Sequence, residues 1–245
     1  MSSVRLAWAG VGLFDDYTKW FRVDSDTAPE RDVQVIDIPG RSGSLLIDNK
    51  KYPNVDMIYN VIFYPGPSGS MSVENRVAEM KRRLALFPGA YTKFRDTTDH
   101  SDEFYLARIT GELEPVFTPD RSMAKMRVTF NRKPQRFLRS GENVVTLTHH
   151  SETISNPGTQ PSQPLLKIYG TGAVTINDQT ITILTADEYT MVDCESMECY
   201  KGTVSKNGSV AFTNNEFPTL AVGSNSISLG TGISQVDITP RWWRL

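Results

Sequence analysis

The chain has 245 residues, of which 39% are hydrophobic and 22% charged, with 17 Gly and 14 Pro, and this composition excludes a disordered chain. Its length allows two ordinary domains or one large all-β domain. The formal net charge of −2 excludes a general electrostatic attraction to nucleic acid or acidic membranes.

Alternation of apolar and polar residues predicts half-buried β-strands in the first half of the chain. Val33, Val35 and Ile38 lead into a turn at residues 39–43. The same alternation recurs further along, at Met126, Val128 and Phe130. Two segments are continuously apolar or aromatic, as expected for strands covered on both faces, and they are residues 58–64 and 104–109.

One segment, residues 71–87, has helical rather than β periodicity. Its apolar residues recur at spacings of four, three, four and three, which predicts an amphipathic helix with its stripe against a sheet, or less readily in a partner's groove. Ser70 or Ser72 can cap the first turn, and Pro88-Gly89 ends the helix. The stripe consists of Val73, Val77, Met80, Leu84 and Phe87.

In the second half of the sequence, short segments of alternating apolar and polar residues predict β-strands, and the Gly and Asn residues between them predict turns. Residues 1–139 carry a net charge of +3 and residues 140–245 one of −5, and a polar, turn-rich stretch follows Ser140. We therefore expect an N-terminal domain of residues 1–140 and a C-terminal β-sandwich of residues 141–245. Its predicted strands are residues 165–169, 174–176, 180–184, 189–192, 210–212, 227–229 and 236–238.

The two cysteines, Cys194 and Cys199, are too few for a secreted disulfide framework and lack the further ligands of a zinc site. We expect two reduced thiols, although a bridge across a hairpin stays open. The first twelve residues do not resemble a signal peptide, and no segment approaches the roughly 20 apolar residues of a membrane span. We therefore expect no membrane anchor and folding in a cytoplasm.

Residues suited to catalysis are scarce. The histidines are His100, in a charged stretch, and the adjacent His149 and His150, which in a strand would point to opposite faces and could not chelate one ion. The glycine-containing stretches at 39–43 and 170–172 lack the features of nucleotide-binding loops and are interpreted as turns, as is Asn207-Gly-Ser209. We predict a protein that is not an enzyme and has no catalytic, cofactor or metal site.

Basic residues cluster at two places, and each has two interpretations. They can form a patch that contacts DNA, or a solvated face with ion pairs at a subunit interface, and the second is favoured because a proline interrupts one cluster beside a strand. The clusters are Lys81–Arg83 and the set Arg132, Lys133, Arg136 and Arg139.

Several segments, in one order along the chain, together resemble siphovirus distal tail proteins. The first is a P-G-R-x-G turn, here Ile38-Pro-Gly-Arg-Ser-Gly-Ser-Leu45. The others are Asp48 and Tyr52; Lys133-Pro-Gln-Arg-Phe137; Asn156-Pro-Gly158 with Ser162 and Pro164; Tyr200, Asn207 and Gly208; Phe217-Pro218 and Gly223; and Pro240-Arg-Trp-Trp243.

The resemblance implies a mainly β fold, with an N-terminal β-barrel-like or sandwich domain that carries one helix and a galectin-like C-terminal β-sandwich. It further implies a homo-hexameric ring in the phage tail tip or baseplate of the virion, assembled in the host bacterial cytoplasm. The implied partners are the major tail tube protein, the tape-measure protein, and a tail-associated lysin, tail fibre or receptor-binding protein. DNA would pass through the ring without specific binding.

Two alternatives stay open. Galectin-like sandwiches can hold sugars, so the chain can instead be a carbohydrate-binding module of a phage adhesion device, although fold analogy supports this weakly. A hydrolase is disfavoured because no catalytic constellation is visible. On a C-terminal strand Trp242 and Trp243 would face opposite ways, so at most one belongs to the core and the other can anchor an interface.

Overall fold

The computed structural model describes residues 4–23, 28–85, 89–96 and 102–245. His100, Phe87 and Pro88 lie outside these residues. The chain divides into two compact units, one running through Arg136 and the other spanning Phe137–Arg244, whereas the sequence predicted a boundary between residues 140 and 141.

The first unit is an antiparallel sheet with one helix. Its elements are β1 Leu6–Trp8, β2 Val11–Gly12, β3 Thr18–Arg22, β4 Val33–Asp37, β5 Ser44–Asp48, β6 Val55–Phe63, α1 Val73–Leu84, β7 Thr92–Asp96, β8 Glu103–Thr110, β9 Pro115–Phe117 and β10 Ala124–Leu138. The main sheet has the strand order β2-β1-β7-β8-β10-β6-β3, with β9 also paired to β10. Within the described ranges, strands β4 and β5 pair only with each other, in a separate two-stranded sheet.

Alternation along β6 and β10 builds the core of this unit. Every second residue of β6, and of β10 as far as Arg132, faces inward, and the apolar ones join Trp8, Trp20 and Phe94 in one buried hydrophobic cluster. Phe94 and Phe130 approach to 4.4 Å between ring centroids. The outward face of β6 is only half-buried, so the prediction of a strand covered on both faces is wrong for it.

The predicted helix is confirmed, with shorter bounds than expected. It begins at Val73 because Ser72 is extended and its hydroxyl accepts a hydrogen bond from the Asn75 amide at 3.3 Å, which makes Ser72 the N-cap. Met71 therefore lies outside the helix and is exposed. The apolar stripe faces the core as predicted, with Val73, Val77, Met80 and Leu84 buried.

The second unit consists of two antiparallel sheets around one core. The strands of these sheets are β11 Val145–Leu147, β12 Ser151–Asn156, β13 Leu165–Gly170, β14 Gly172–Ile176, β15 Gln179–Ile183, β16 Tyr189–Asp193, β17 Glu198–Lys201, β18 Val204–Ser205, β19 Val210–Phe212, β20 Gly223–Leu229 and β21 Ile233–Thr239. A further short strand, β22 Trp243–Arg244, lies outside the two sheets. One sheet has the order β11-β21-β13-β16-β17-β18 and the other β12-β20-β14-β15-β19.

All seven strands predicted in this half are present, and the stretch interpreted as polar and turn-rich adds β11 and β12. The sequence did not predict strand β12, because Ile154 is its only apolar residue. In the structure β12 is held by its pairing with the Ser-rich β20 at six positions. Asn156 is buried at its end, donates to the carbonyls of Gln160 and Leu220, and accepts from the Gly158 amide. The Asn-Pro-Gly motif therefore organises a buried turn.

Candidate interaction surface

Strands β4 and β5 form a hairpin, here called the arm, that stands apart from both cores. Its tip is the turn predicted at residues 39–43, where Gly40 and Gly43 adopt positive φ angles of 78° and 87°. The Arg41 amide donates to the Ile38 carbonyl at 3.2 Å, and the Ser44 hydroxyl donates to Asp37 at 2.5 Å. The turn that carries the family resemblance is thus the tip of the arm.

Both faces of the arm expose apolar side chains. Val35 lies directly opposite Leu46, and these side chains are 61% and 65% exposed. On the other face Leu45 and Ile47 are also exposed. Among the described residues nothing covers them, so the prediction of a half-buried strand is wrong for β4. A two-stranded hairpin is marginally stable alone in water, and uncovered aliphatic clusters mark contact surfaces.

Polar contacts hold the root of the arm. Arg31 donates to both carboxylate oxygens of Asp48 at 2.7–2.9 Å and to the Tyr52 hydroxyl at 3.2 Å. These hydrogen bonds, with one from the Lys50 amide, lower the pKa of Asp48. Nearby, the side-chain amide of Asn49 and the ammonium of Lys51 donate hydrogen bonds to Asp32 and lower its pKa. The arm is therefore oriented at its base and uncovered along its length.

The two described histidines each contact a neighbouring group of the chain. His149 and His150 lie in the connection between β11 and β12, not in a strand. His149 Nδ1 lies 3.1 Å from Glu152, and His150 Nδ1 lies 2.6 Å from the Leu229 carbonyl. Within the described ranges no three His, Cys, Asp or Glu residues are placed to share a metal ion. No described helix is long and apolar enough to cross a bilayer.

One of the basic residues is not at the surface. Arg132 is fully buried, with its guanidinium 4.6 Å from the centre of the Tyr105 ring, so the expectation of a solvated or interface side chain is wrong for it. Lys133 packs over Tyr91 and Arg136 over Tyr105. These cations are engaged within the unit and do not form an open basic patch.

The two cysteines are free and buried, as expected for reduced thiols. Burial, reinforced by the nearby charge of Asp193, raises the pKa of Cys194 to about 12. Burial raises the pKa of Cys199 to about 11. The Cys199 amide donates to Asn207 Oδ1 at 2.6 Å. Asn207 begins a 3₁₀ turn that joins β18 to β19 across the two sheets, so the expected hairpin turn is wrong.

A carbohydrate-binding module would need aromatic side chains on which a sugar can stack, and the second unit has such a pair on the outward face of one sheet. Tyr169 and Tyr189 are cross-strand neighbours with ring centroids 6.0 Å apart. The Lys167 ammonium lies 4.8 and 4.2 Å from these two ring centres. A sugar that stacked on this pair would compete with a cation already in contact with the rings. The geometry therefore gives this alternative no specific support.

The C-terminal tryptophans divide as the sequence predicts. Trp242 is buried in the core of the second unit, whereas Trp243 is half-exposed and donates from Nε1 to the Pro161 carbonyl at 2.9 Å. Gly158 lies close to the backbone of Trp243, where a Cβ would overlap its carbonyl. The Pro-Arg-Trp-Trp segment is thus held to the second unit by Trp242 and Trp243.

No protein-family model matches the chain, and no curated protein matches it in sequence. Its fold matches solved structures. The SPP1 Dit protein, a hub of the adsorption apparatus in phages that infect Gram-positive bacteria, aligns with a TM-score of 0.70 at 11% identity, over 97% of this chain and 98% of that one. A chain of the phage P2 baseplate, activated with Ca, aligns with a TM-score of 0.52 at 8% identity, over 99% and 98%. The mainly β fold with one helix is therefore confirmed as a Dit-like fold.

Proposed function

We propose that the chain is a non-catalytic structural subunit of a phage tail tip. In this proposal it forms a hexameric ring that links the tail tube to tail-associated and receptor-binding proteins. The observation that carries the proposal is the arm, because Val35 and Leu46 present an aliphatic surface to solvent with no partner in the described chain. The Dit-like fold supplies the context in which such a surface serves assembly.

A ring requires each subunit to offer two different surfaces, one for each neighbour. An arm that projects from its own core is suited to reach a neighbour, and its polar root fixes the direction in which it projects. The described histidines and thiols, engaged or buried as they are, support a role without bond-making chemistry. The tube, the tape-measure protein and a receptor-binding protein are the partners that the resemblance suggests.

The mass and shape of the assembled protein test the proposal. We expect a species of six times the 27.4-kDa subunit mass, measured by analytical ultracentrifugation, and rings with a central hole in negative-stain images. Because assembly follows mass action, the series should run from low to high protein concentration, with and without the tube protein. A monomer under every one of these conditions contradicts the proposal.

A charge placed on the arm tests whether it drives assembly. Val35→Asp puts a carboxylate on the apolar face, and desolvating it in an interface is costly. We expect this variant to stay monomeric while its circular dichroism matches the parent and its melting temperature matches that of the parent at a dilution at which both are monomeric. The matched control is Val222→Asp, at a site 51% exposed in the second unit, which should assemble like the parent.

A further inference from the structure

The proposed ring leaves open which surface of a neighbour receives the arm, and the inference below rests on that proposed function. A head-to-tail contact joins two unlike patches, so the acceptor has to lie on the same chain as the arm and be uncovered in the single chain. It also needs aliphatic walls to match Val35 and Leu46. One cleft of the first unit meets these conditions.

This cleft, here called the β9 cleft, lies on the outward face of the main sheet. Val116 in β9 is the register partner of Lys125 in β10, and Arg127 is the partner of Asn60 in β6. The cleft has a volume of about 460 Å³, within the roughly 300–1,000 Å³ of clefts that bury a small ligand. It is lined by Val23, Asn60, Glu114, Val116, Lys125 and Arg127.

The walls of the cleft are uncovered aliphatic groups. Val116 is 72% exposed and Val23 is 42% exposed, which is unusual for valines that flank a sheet. Beside them, the side chains of Lys125 and Arg127 make no hydrogen bond or ion pair to any described residue. An occupant of this cleft would therefore be aliphatic and would carry negative charge at its rim.

The arm has this chemistry. Its face with Val35 and Leu46 also carries Asp37, two residues from Val35 on the same strand. Asp48 is already paired with Arg31, and of the two other charged residues between 33 and 48, Asp37 and Arg41, only Asp37 lies on the strand face with Val35. The side chains lining the cleft have a net charge of +1. Arm and cleft are both uncovered in one chain, so the arm does not occupy the cleft of its own subunit.

We propose that the arm of one copy docks into the β9 cleft of a second copy. Val35 and Leu46 would contact Val23 and Val116, and Asp37 would lie beside Lys125 and Arg127. In an open chain of docked copies, one end subunit keeps a free arm and the other a free cleft, so the contact propagates in one direction and ends when the two meet and the ring closes.

Two complementary variants test the docking. Leu46→Asp disables the arm and leaves the cleft intact, and Val116→Asp does the reverse. We expect each variant alone to be monomeric by analytical ultracentrifugation. Mixed in equal amounts, they should form a 1:1 dimer that does not grow, because only one intact arm and one intact cleft remain to meet. The control Val222→Asp should assemble with the parent into full-size rings.

The outcomes separate the two proposals. If the parent and Val116→Asp both assemble while Leu46→Asp does not, the arm works through another acceptor and the docking proposal is overturned, with the ring proposal intact. If the mixture of the two variants stays monomeric while the parent assembles, the docking proposal also fails. If no form of the parent assembles with or without the tube protein, the ring proposal fails.

Disulfide trapping tests the contact even when it is transient. Leu46→Cys and Val116→Cys proteins are mixed under mild oxidation, and the native Cys194 and Cys199 give little background because both are buried. We expect a covalent dimer of one protein of each kind, identified by peptide mass. Equal trapping of Leu46→Cys with a Val222→Cys control would overturn the docking proposal.

Discussion

Arg31 and Asp48 are joined side by side at the root of the arm, with the guanidinium Nε and Nη2 donating to the carboxylate at 2.7–2.9 Å. Both side chains are exposed, so the pair orients the arm more than it stabilises the fold. The pKa of Asp48 is lowered by its hydrogen bonds to Arg31 and to the Lys50 amide, so this pKa depends on the pair being formed. The titration of this carboxyl group therefore measures whether the arm root is formed.

The sign of the pH effect follows from that lowered pKa. A carboxyl group whose pKa is lower in the folded state contributes stability above its unfolded pKa of about 3.9, and loses it as the pH falls through the folded value. We expect the arm root to stay intact from pH 8 to about pH 5 and to loosen below about pH 4. Carboxyl carbon NMR should give Asp48 a midpoint below 3.9.

Neutralising the carboxylate should loosen the arm at neutral pH. In Asp48→Asn the charge-assisted bonds to Arg31 are replaced by weaker ones, so we expect amide hydrogen exchange across residues 33–48 to quicken several-fold. Exchange in the sheet core should not change. Asp16→Asn, at an exposed site distant in sequence, is the control, and equal acceleration in both variants would contradict the role given to the pair.

Phe130 lies at the centre of the aromatic cluster of the first unit. It contacts Trp8, Trp20, Tyr59 and Phe94 with ring centroids 4.4–6.4 Å apart. Phe130→Ala leaves a cavity that rigid neighbours cannot fill, so we expect the free energy of unfolding to fall by about 3–5 kcal/mol. Urea denaturation followed by near-ultraviolet circular dichroism measures this change.

The control for this core prediction is Phe14→Ala. Phe14 is 43% exposed and contacts Arg5 through its ring face, so we expect its removal to cost less than about 1 kcal/mol. A similar loss for both variants would mean that the cluster is not the centre of the core. Because each unit has its own hydrophobic core, the urea data are fitted with one transition for each unit.

Local patterns predicted most of the fold because the physics that sets them is local. The spacing of apolar residues from Val73 to Leu84 places them on one face of a helix. The alternation along β13 and β15 places the apolar residues of each strand on the face of the sheet that is buried. The exposure of the arm was not predictable in this way. A run such as Leu45-Leu46-Ile47 places apolar groups on both faces of a strand, and whether anything covers them depends on residues elsewhere or on another chain.

The burial of Arg132 is consistent with the alternation of its strand, although its charge and basic neighbours indicated an exposed side chain. Met126, Val128 and Phe130 alternate inward along β10, and the same period places Arg132 on the inward face. Its charge and its basic neighbours favoured a solvated interpretation. The sequence gives no local reason for Tyr105 to meet this guanidinium, because the ring comes from a different strand.

Ser72 is predicted to contribute to the stability of the first unit through its hydroxyl. The sequence left Ser70 and Ser72 as alternative caps, and only Ser72 accepts the Asn75 amide. We expect Ser72→Ala to lower the free energy of unfolding by about 1 kcal/mol, because one amide of the first turn loses its partner. Ser70→Ala should change it by less than about 0.5 kcal/mol in the same urea titration.

Cys194 and Cys199 should be inert in the folded protein. With pKa values raised to about 12 and about 11, the thiolate fractions at pH 8 are about one in ten thousand and one in a thousand, and the thiolate is the nucleophile. We expect a colorimetric thiol reagent to titrate no thiol within minutes at pH 8, and two per chain once urea unfolds the second unit.

The same raised pKa values set the direction of an alkaline effect. Between about pH 8.5, the ordinary thiol value, and pH 11, the unfolded chain loses thiol protons that the folded chain keeps, so the free energy of unfolding should fall as the pH rises. A Cys194→Ala/Cys199→Ala variant removes both titrating groups and should lose that part of the slope. If parent and variant have the same slope from pH 8 to pH 10, the two thiols are not shielded as described.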